Sequence, residues 1–230
     1  LYILGDLFEA WIGDDDPNPY YAQMKTAIRA LADTGVPVYF MHGNRDFMIG
    51  DAFAADCGLT LLDDPHSMEL HGEKVLLSHG DAMCTDDVEY QQVRTMTRNP
   101  AWKAMMMAKS IEERIAFALQ SREKSMARHA TMDEEIADVN QVAVEQTIRE
   151  HGVDILLHGH THRPAVHPFH VDERAVHRIV LGDWYEQGSM VEWDEDGPRL
   201  EVLARYLVSV TLFPINWCQS PYFRNRKYGD

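Results

Sequence analysis

The chain has 230 residues, with 21 lysines and arginines against 37 aspartates and glutamates, which gives a formal charge of −16. This acidic balance disfavours a general nucleic-acid binder, because neutralising phosphates requires clustered lysine and arginine. With 45% hydrophobic residues and no run of about 18 apolar residues, the composition predicts a globular domain without a membrane-spanning helix. Cys57, Cys84 and Cys218 are odd in number and widely spaced, which favours a reducing compartment and no disulfide framework.

Short apolar runs along the chain share one feature: each ends at a glycine beside aspartate, asparagine or histidine. The runs are residues 1–4 before Gly5-Asp6, 36–41 before His42-Gly43-Asn44, 75–78 before His79-Gly80, 155–157 before His158-Gly159-His160, and 179–181 before Gly182-Asp183. Short apolar runs bounded by glycine predict buried strands. Because α/β sheets place their active sites at the carboxyl ends of strands, the polar residues that follow the runs are candidate site residues.

The intervening segments have helical patterns that end at glycine, which predicts helices over 19–33, 51–56 and 138–151. Alternating strands and helices predict an α/β fold. After Gly188 the pattern alternates with period two, and Asp196-Gly197 is the expected hairpin turn.

The region from Thr85 to about Asp138 lacks strand patterns and has natural helix breaks at Pro100 and Ser110. It predicts a helical cap inserted into the α/β frame. The expected division is a core of residues 1–84 and 138–208, a cap of residues 85–137, and a tail of uncertain structure at 209–230.

Five of the residues at strand ends form a potential metal-binding set: Asp6, Asn44, His79, His160 and His162. Carboxylate, amide and imidazole ligands together suit Mn²⁺, Fe²⁺ or Zn²⁺. Each histidine by itself is as compatible with a hydrogen-bonded structural role. All five together, each at a strand end, favour a metal site.

This set resembles the motifs of the calcineurin-like metallophosphoesterases, which run Asp-x-His, Gly-Asp, Gly-Asn-His, His and Gly-His-x-His. The resemblance implies an αββα sandwich of two mixed sheets and two metal ions. Asp6 would bridge the metals, Asn44, His79 and His160 would bind the second, and His162 would bind the first. The opening Asp-x-His has no counterpart, and the chain begins without methionine at Leu1, so we expect that a first strand carrying two ligands is missing.

One position departs from most of the family, because Arg45 follows Asn44 where a histidine is usual. Arginine does not release a proton at neutral pH, but it can clamp a phosphate through two hydrogen bonds. A phosphate leaving group, with a second pKa of about 6, needs no proton. Arg45 therefore favours a pyrophosphate substrate. The alternative is that Arg45 only pairs with Asp46.

Longer segments resemble one branch of this family, which uses Mn²⁺ to hydrolyse the pyrophosphate bond of UDP-2,3-diacylglucosamine at the cytoplasmic face of the inner membrane. The matching segments are 4–14, 43–47, 77–81 with 84–87, 157–164 and 181–184. The products implied are UMP and 2,3-diacylglucosamine 1-phosphate (lipid X), an intermediate of lipid A synthesis.

The branch also implies roles for individual residues. Asn44, Arg45 and His160 would be catalytic and would contact substrate. Asp87 and Tyr90 would meet the glucosamine, and Arg122 and Ser125 its phosphate and acyl amides. Met132 stands where the branch usually has lysine, so one phosphate contact is expected to be lost or supplied by Arg128.

Two features of the cap have a more ordinary interpretation beside the functional one. Arg122, Ser125 and His129 lie three and four residues apart, hence on one helix face, which is either turned to the metals or solvated. The methionines within Ala104–Ala108, with the apolar residues around them, are more often core. A substrate with two acyl chains would favour an acyl cleft.

Two other functions remain open at this point. One is a nucleotide pyrophosphatase or phosphodiesterase with a soluble substrate. The other is a non-catalytic metal-binding scaffold, which the absent Asp-x-His favours. No obligate protein partner and no nucleic-acid partner is expected.

Overall fold

The computed structural model describes residues 1–129, 136–184 and 188–203, which form two compact units. The first unit contains residues 1–61 and 89–129, and the second contains residues 62–88 and 136–203. Each unit has its own sheet, so the α/β class predicted from the sequence is confirmed. The expected tail at 209–230 and Met132 lie outside the described residues. The division into a core and a separate cap remains a prediction.

The sheet of the first unit consists of strands β1 (Tyr2–Ile3), β2 (Val38–Met41) and β3 (Leu59–Leu62), in that order. Strands β1 and β2 run parallel, with Ile3 opposite Phe40. Their carboxyl ends therefore lie at the same edge of the sheet, and the residues that follow them are brought close together.

Two helices of the first unit begin and end where local sequence signals predict. Helix α1 (Pro19–Asp33) is capped by the Asn18 side chain, which accepts a hydrogen bond from the amide of Tyr20, and Pro19 occupies its first turn. Helix α2 (Asp51–Cys57) stops at Gly58, whose φ of 67° is left-handed. The predicted helices over 19–33 and 51–56 are confirmed.

Three further helices occupy the predicted cap region: α3 (Val88–Thr97), α4 (Pro100–Met107) and α5 (Ile111–His129). Asn99 caps α4 by accepting from the amide of Ala101. Before α5, Ser110 and Glu113 exchange hydrogen bonds between side chain and backbone, which is a capping box. The breaks expected at Pro100 and Ser110 are confirmed. Among the helices that the structure describes, none is both long and apolar enough to cross a membrane.

The second unit is built on a mixed five-stranded sheet. It contains β4 (His66–Leu70), β5 (Glu73–Ser78), β6 (Ile155–His158), β7 (Ala165–Val171) and β8 (Arg174–Val180), in the order β4-β5-β6-β8-β7. The three central strands β5, β6 and β8 are mutually parallel, and the edge strands are antiparallel to them. The apolar runs of the central strands are buried, as their near-continuous hydrophobicity predicts.

Two boundaries in the second unit differ from the sequence prediction. Helix α6 (Gln141–His151) begins three residues after Asp138, because Asn140 caps it by accepting hydrogen bonds from the amides of Val142 and Ala143. The final hairpin pairs β9 (Gly188–Asp194) with β10 (Gly197–Leu203), and Asp194 lies opposite Gly197. The loop is therefore residues 195–196, one position earlier than expected.

Candidate active site

The first unit places Asp6 against the loop that carries Asn44 and Arg45. Oδ1 of Asp6 accepts a hydrogen bond of 3.0 Å from the backbone amide of Arg45. The loop approaches so closely that a Cβ at Gly43 would overlap Oδ1 and the backbone nitrogen of Asp6. Only glycine fits at this position, and the approach holds the predicted ligands Asp6 and Asn44 at one edge of the sheet.

A buried carboxylate ties the same two loops together. Asp46 is 0% exposed, and its two oxygens accept hydrogen bonds from the amides of Leu7 (2.7 Å) and Gly43 (2.8 Å). Hydrogen bonds to an ionised acceptor are stronger than neutral ones. Asp46 thereby fixes the segments that present Asp6 and Asn44.

Arg98, the residue directly after helix α3, supports the same loop from another direction. Nη2 of Arg98, which follows α3, donates a hydrogen bond of 2.9 Å to the carbonyl oxygen of Gly43. Its guanidinium lies 5.6 Å from the ring centroid of Phe47. The Phe47 ring in turn contacts that of Trp102 at 5.8 Å. Arg98 thus links the backbone just before Asn44 to the helical region.

The side chain of Arg45 is held by two carboxylates. Nη1 lies 2.7 Å from Oε1 of Glu9, and Nε lies 3.5 Å from Oδ2 of Asp6. The alternative that Arg45 only pairs with Asp46 is therefore not supported. The guanidinium is anchored beside a predicted metal ligand.

The same Glu9 also pairs with Arg122 on α5, which the family resemblance assigns, together with Ser125, to the phosphate and acyl amides of the substrate. Nη2 of Arg122 lies 2.6 Å from Oε2 of Glu9. Burial raises the pKa of Glu9 above its usual value, and the adjacent guanidinium groups of Arg45 and Arg122 oppose this shift. Glu9 brings together two predicted substrate-binding arginines that are distant in sequence.

In the second unit, parallel pairing of β5 and β6 brings His79 beside His160. Ser78 lies opposite His158 in the register, and the amide of Gly159 donates a hydrogen bond of 3.1 Å to the carbonyl oxygen of His79. The imidazole centroids of His79 and His160 are 5.0 Å apart. Two of the predicted ligands therefore lie side by side at the carboxyl edge of this sheet.

Predicted ligands also adopt unusual backbone conformations. Outside glycine, positive φ values within the described ranges occur at Asp6 (56°), His160 (67°) and His162 (55°), and at turn residues His71, Asp172 and Glu173. A left-handed conformation is unfavourable for a residue with a Cβ, and such strain concentrates at functional sites. Three of the five predicted ligands carry this feature.

His162 lies near an acidic residue at the end of β8. Its Nδ1 is 3.8 Å from Oδ2 of Asp183. A carboxylate near one imidazole nitrogen favours the tautomer in which the other nitrogen binds a metal. The Gly182-Asp183 motif signals this residue in the sequence, although no role was predicted for it.

His158, which opens the same motif as His160, has a structural environment. It is 0% exposed, its Nδ1 lies 2.9 Å from the carbonyl oxygen of Gly159, and its Nε2 lies 3.3 Å from Nη1 of Arg178. Burial lowers its pKa to about 4, so it is neutral at pH 7. The motif therefore contains both a packing histidine and predicted ligands.

For the other predicted substrate residues the structure gives their exposure and, for Arg128, one ion pair. Asp87 is buried directly before α3, and Tyr90 is half-buried within α3. Ser125 is exposed on α5, and Arg128 pairs with Glu89 at 3.2 Å. Their roles toward a ligand remain predictions.

Sequence reasoning missed Glu9 and Arg98. Glu9 lies inside a segment that resembles the family, but nothing in the local pattern shows that its carboxylate meets Arg45 and Arg122. Arg98 carries no motif at all. Both act through partners more than 30 residues away, and local spacing does not reveal such contacts.

Each unit carries donor types that suit a borderline divalent cation. In the first unit they are the carboxylate of Asp6 and the side-chain amide of Asn44. In the second unit they are the adjacent imidazoles of His79 and His160. Oxygen and imidazole nitrogen ligands suit first-row divalent metals.

Comparisons with known proteins identify the family of this chain. The profile of the calcineurin-like phosphoesterase family matches residues 1–164. A protein of Stenotrophomonas maltophilia named UDP-2,3-diacylglucosamine hydrolase is 51% identical over 212 residues, covering 89% of this chain and 86% of the relative. A protein of the same name from Xanthomonas axonopodis pv. citri is 49% identical over 211 residues, covering 89% and 85%.

A solved structure of a predicted phosphoesterase from Streptococcus pneumoniae also matches, with 12% identity, a TM-score of 0.42 and coverage of 89% of this chain and 88% of that one. That similarity is too low to bear on function. The profile and the close relatives confirm the resemblance seen in the sequence motifs. The chain belongs to the calcineurin-like phosphoesterase family and is a metal-dependent hydrolase.

Proposed function

We propose that this chain hydrolyses the pyrophosphate bond of UDP-2,3-diacylglucosamine to give UMP and 2,3-diacylglucosamine 1-phosphate, a step of lipid A synthesis. The observation that carries the proposal is the 51% identity, over 89% of the chain, to a relative named for this substrate. The position of Arg45 supports it, because an arginine next to Asn44 suits a phosphate leaving group that needs no proton.

The proposal includes two Mn²⁺ ions, for which Asp6, Asn44, His79, His160 and His162 are the ligands. Their donor types and the left-handed backbone at three of them support this assignment. Bound divalent cations supply Lewis-acid stabilisation of phosphoryl charge and make water acidic enough to lose a proton near pH 7.

Arg45, Asn44 and His160 act directly on the reacting phosphate in this proposal. Water adds to the phosphorus next to uridine, and the bond from that phosphorus to the bridging oxygen breaks. The guanidinium of Arg45 binds the phosphoryl oxygens as their charge grows, while the Asn44 amide and the His160 imidazole orient them. Because Arg45 is preorganised by Glu9, little reorganisation is needed during the reaction.

Substrate binding is assigned to the helical region and the segment before it. Asp87 and Tyr90 bind the glucosamine, and Arg122 and Ser125 bind its phosphate and acyl amides. Exposed apolar side chains on α3, α4 and α5 support binding of acyl chains at the cytoplasmic face of the inner membrane: Val93, Met96, Met105, Met107, Phe117 and Met126. Methionine adapts well to irregular apolar ligands.

The test measures Mn²⁺-dependent release of UMP from UDP-2,3-diacylglucosamine in detergent micelles. We expect turnover that requires the metal and falls strongly in Arg45→Ala without loss of bound metal. The matched control is Arg29→Ala, which removes an exposed arginine paired with Asp33 on α1.

A second substrate separates the proposal from its alternatives. Equal turnover of UDP-glucosamine without acyl chains would replace it with a soluble nucleotide pyrophosphatase. Metal binding without hydrolysis of either substrate would indicate a non-catalytic scaffold.

A further inference from the structure

We propose that Glu9 is a positioning residue that holds Arg45 and Arg122 together as one binding site for the phosphates of a diphosphate ester. The inference rests on the proposed function, in which both arginines contact the substrate. It adds a residue to which neither the family motifs nor the names of the relatives assign a role.

The geometry is that of one carboxylate shared by two guanidinium groups. Oε1 of Glu9 lies 2.7 Å from Nη1 of Arg45, and Oε2 lies 2.6 Å from Nη2 of Arg122. Each oxygen therefore has its own arginine within ion-pair distance, and Arg45 also donates a hydrogen bond to Oε1. Because a guanidinium carries five N–H donors in a planar fork, one such group can contact a carboxylate and a phosphate on different edges.

The charges explain why a shared carboxylate is needed. Arg45 follows β2 and Arg122 lies on α5, so the two positive groups are brought together only by folding. Two positive groups that contact the same carboxylate repel one another. One carboxylate between them offsets part of the repulsion. Asp6, a proposed metal ligand, lies 3.5 Å from Arg45 as well, so the role of Glu9 is to hold the two guanidinium groups in place.

The side chain of Glu9 is less exposed than those of the two arginines, which indicates different roles. The Glu9 side chain is 3% exposed, whereas those of Arg45 and Arg122 are 19% and 17% exposed. The carboxylate is thus the least accessible of the three groups. A ligand would meet the guanidinium groups, while Glu9 acts through them.

In a second ion pair of the first unit the arginine is buried and the carboxylate is exposed. Arg114 on α5 contacts Asp15 at 2.6 Å and is itself 3% exposed, whereas the Asp15 carboxylate is 51% exposed. Arg114 also donates to the carbonyl oxygen of Ile12. This pair links α5 to the segment after β1 with its arginine buried, as expected for a purely structural contact. It provides a matched control for Glu9.

The experiment compares Glu9→Gln with Asp15→Asn, each of which removes one carboxylate charge between the same two segments. We expect kcat/KM for UDP-2,3-diacylglucosamine to fall about 10- to 100-fold in Glu9→Gln, because misplaced contact groups cost up to about 100-fold. Both kcat and KM should change, since Arg45 and Arg122 serve different steps. The kcat/KM of Asp15→Asn should stay within about threefold of that of the unaltered chain, as expected for a partly exposed ion pair.

A binding measurement keeps the inference independent of turnover. Calorimetric titration with methylenediphosphonate, a non-hydrolysable diphosphate, should show about tenfold weaker binding to Mn²⁺-loaded Glu9→Gln, equivalent to the loss of about one charged contact. Asp15→Asn should bind as the unaltered chain does. Equal affinity in both variants, with equal kcat/KM, would overturn the role of Glu9.

A double-mutant cycle distinguishes positioning from a general structural effect. In the Arg122→Ala background, Glu9→Gln should lower kcat/KM by a smaller factor than it does in the unaltered chain. The effects of substitutions within one network of contacts are not additive. An equal loss in both backgrounds would mean that Glu9 does not act through Arg122. If Glu9→Gln folds poorly, Glu9→Asp keeps the charge but cannot reach both arginines, and the same comparisons apply.

Failure of the proposed function gives a different result. If the unaltered chain and Asp15→Asn release no UMP, the substrate assignment fails, while the methylenediphosphonate comparison still decides the role of Glu9.

Discussion

The carboxylate of Asp46 binds the backbone amide of Leu7 at 2.7 Å, across 39 residues of sequence. Its other oxygen accepts from the amide of Gly43. A single buried side chain therefore joins the loop that follows β1 to the loop that follows β2. These loops present Asp6 and Asn44, so the placement of two proposed metal ligands depends on a carboxylate outside the proposed ligand set.

Replacing Asp46 with alanine should destabilise the protein by about 3 kcal/mol, because two amide donors lose a charged acceptor in a buried place. Urea denaturation measures the change. The control Asp33→Ala, which removes an exposed partner of Arg29 on α1, should cost less than about 0.5 kcal/mol. Similar losses in the two variants would contradict the anchoring role of Asp46.

Substitution of Gly43 by alanine should abolish binding of at least one metal ion, because the added Cβ would overlap the side chain and backbone of Asp6. Elemental analysis after gel filtration reports the metal content. Gly72→Ala is the control: its φ of 85° is left-handed, but a Cβ there would meet nothing within 4 Å. It should cost about 1 kcal/mol of stability with metal content unchanged.

His160→Ala should lower the bound Mn²⁺ measured by elemental analysis, because His160 stands beside His79 at the edge of the sheet. The matched control is His170→Ala, an exposed histidine on β7 of the same unit. It should leave the metal content unchanged. Full metal content in His160→Ala would refute its assignment as a ligand.

Arg98→Met should reduce turnover by about tenfold, with less effect on stability, because the loop before Asn44 loses the hydrogen bond from the guanidinium. Steady-state assays give turnover, and thermal denaturation gives stability. Gln92→Ala, an exposed change on the preceding helix α3, should alter neither quantity. Unchanged turnover in Arg98→Met would show that Gly43 and Asn44 hold their positions without this contact.

The two described cysteines should resist thiol reagents in the folded protein. Burial raises the pKa of both Cys57 and Cys84 to about 12, and the thiolate is the reactive form. At pH 8 the thiolate fraction is therefore very small. Mass spectrometry of peptides after treatment with Ellman's reagent should show labelling of these two residues only in urea, and rapid labelling without urea would contradict their burial.

The placement of the proposed ligands could be predicted from local sequence. Apolar runs that end in glycine identify β1, β2, β5, β6 and β8, and parallel pairing then brings Asp6 near Asn44 and His79 near His160. The helix start and the hairpin loop that differ from the sequence prediction have local causes as well. Asn140 competes as a cap with the earlier Asp138, and the register of β9 with β10 sets the hairpin loop.

The partners of the arginines could not be predicted in this way. The chain has 37 acidic residues, and sequence proximity suggested Asp46 as a partner of Arg45. In the folded protein Asp46 accepts from backbone amides, while Arg45 pairs with Glu9 and Asp6. Which carboxylate meets which guanidinium depends on burial and on contacts far apart in sequence.

The sequence by itself determined the α/β class, the strand ends and the types of donor at the site, because strand periodicity and glycine stops are local properties of the backbone. Only the tertiary structure decided that Glu9 joins Arg45 to Arg122, and that Arg98 supports the Gly43 backbone. Those contacts join elements that are distant in sequence, and their strength depends on the low exposure that packing creates.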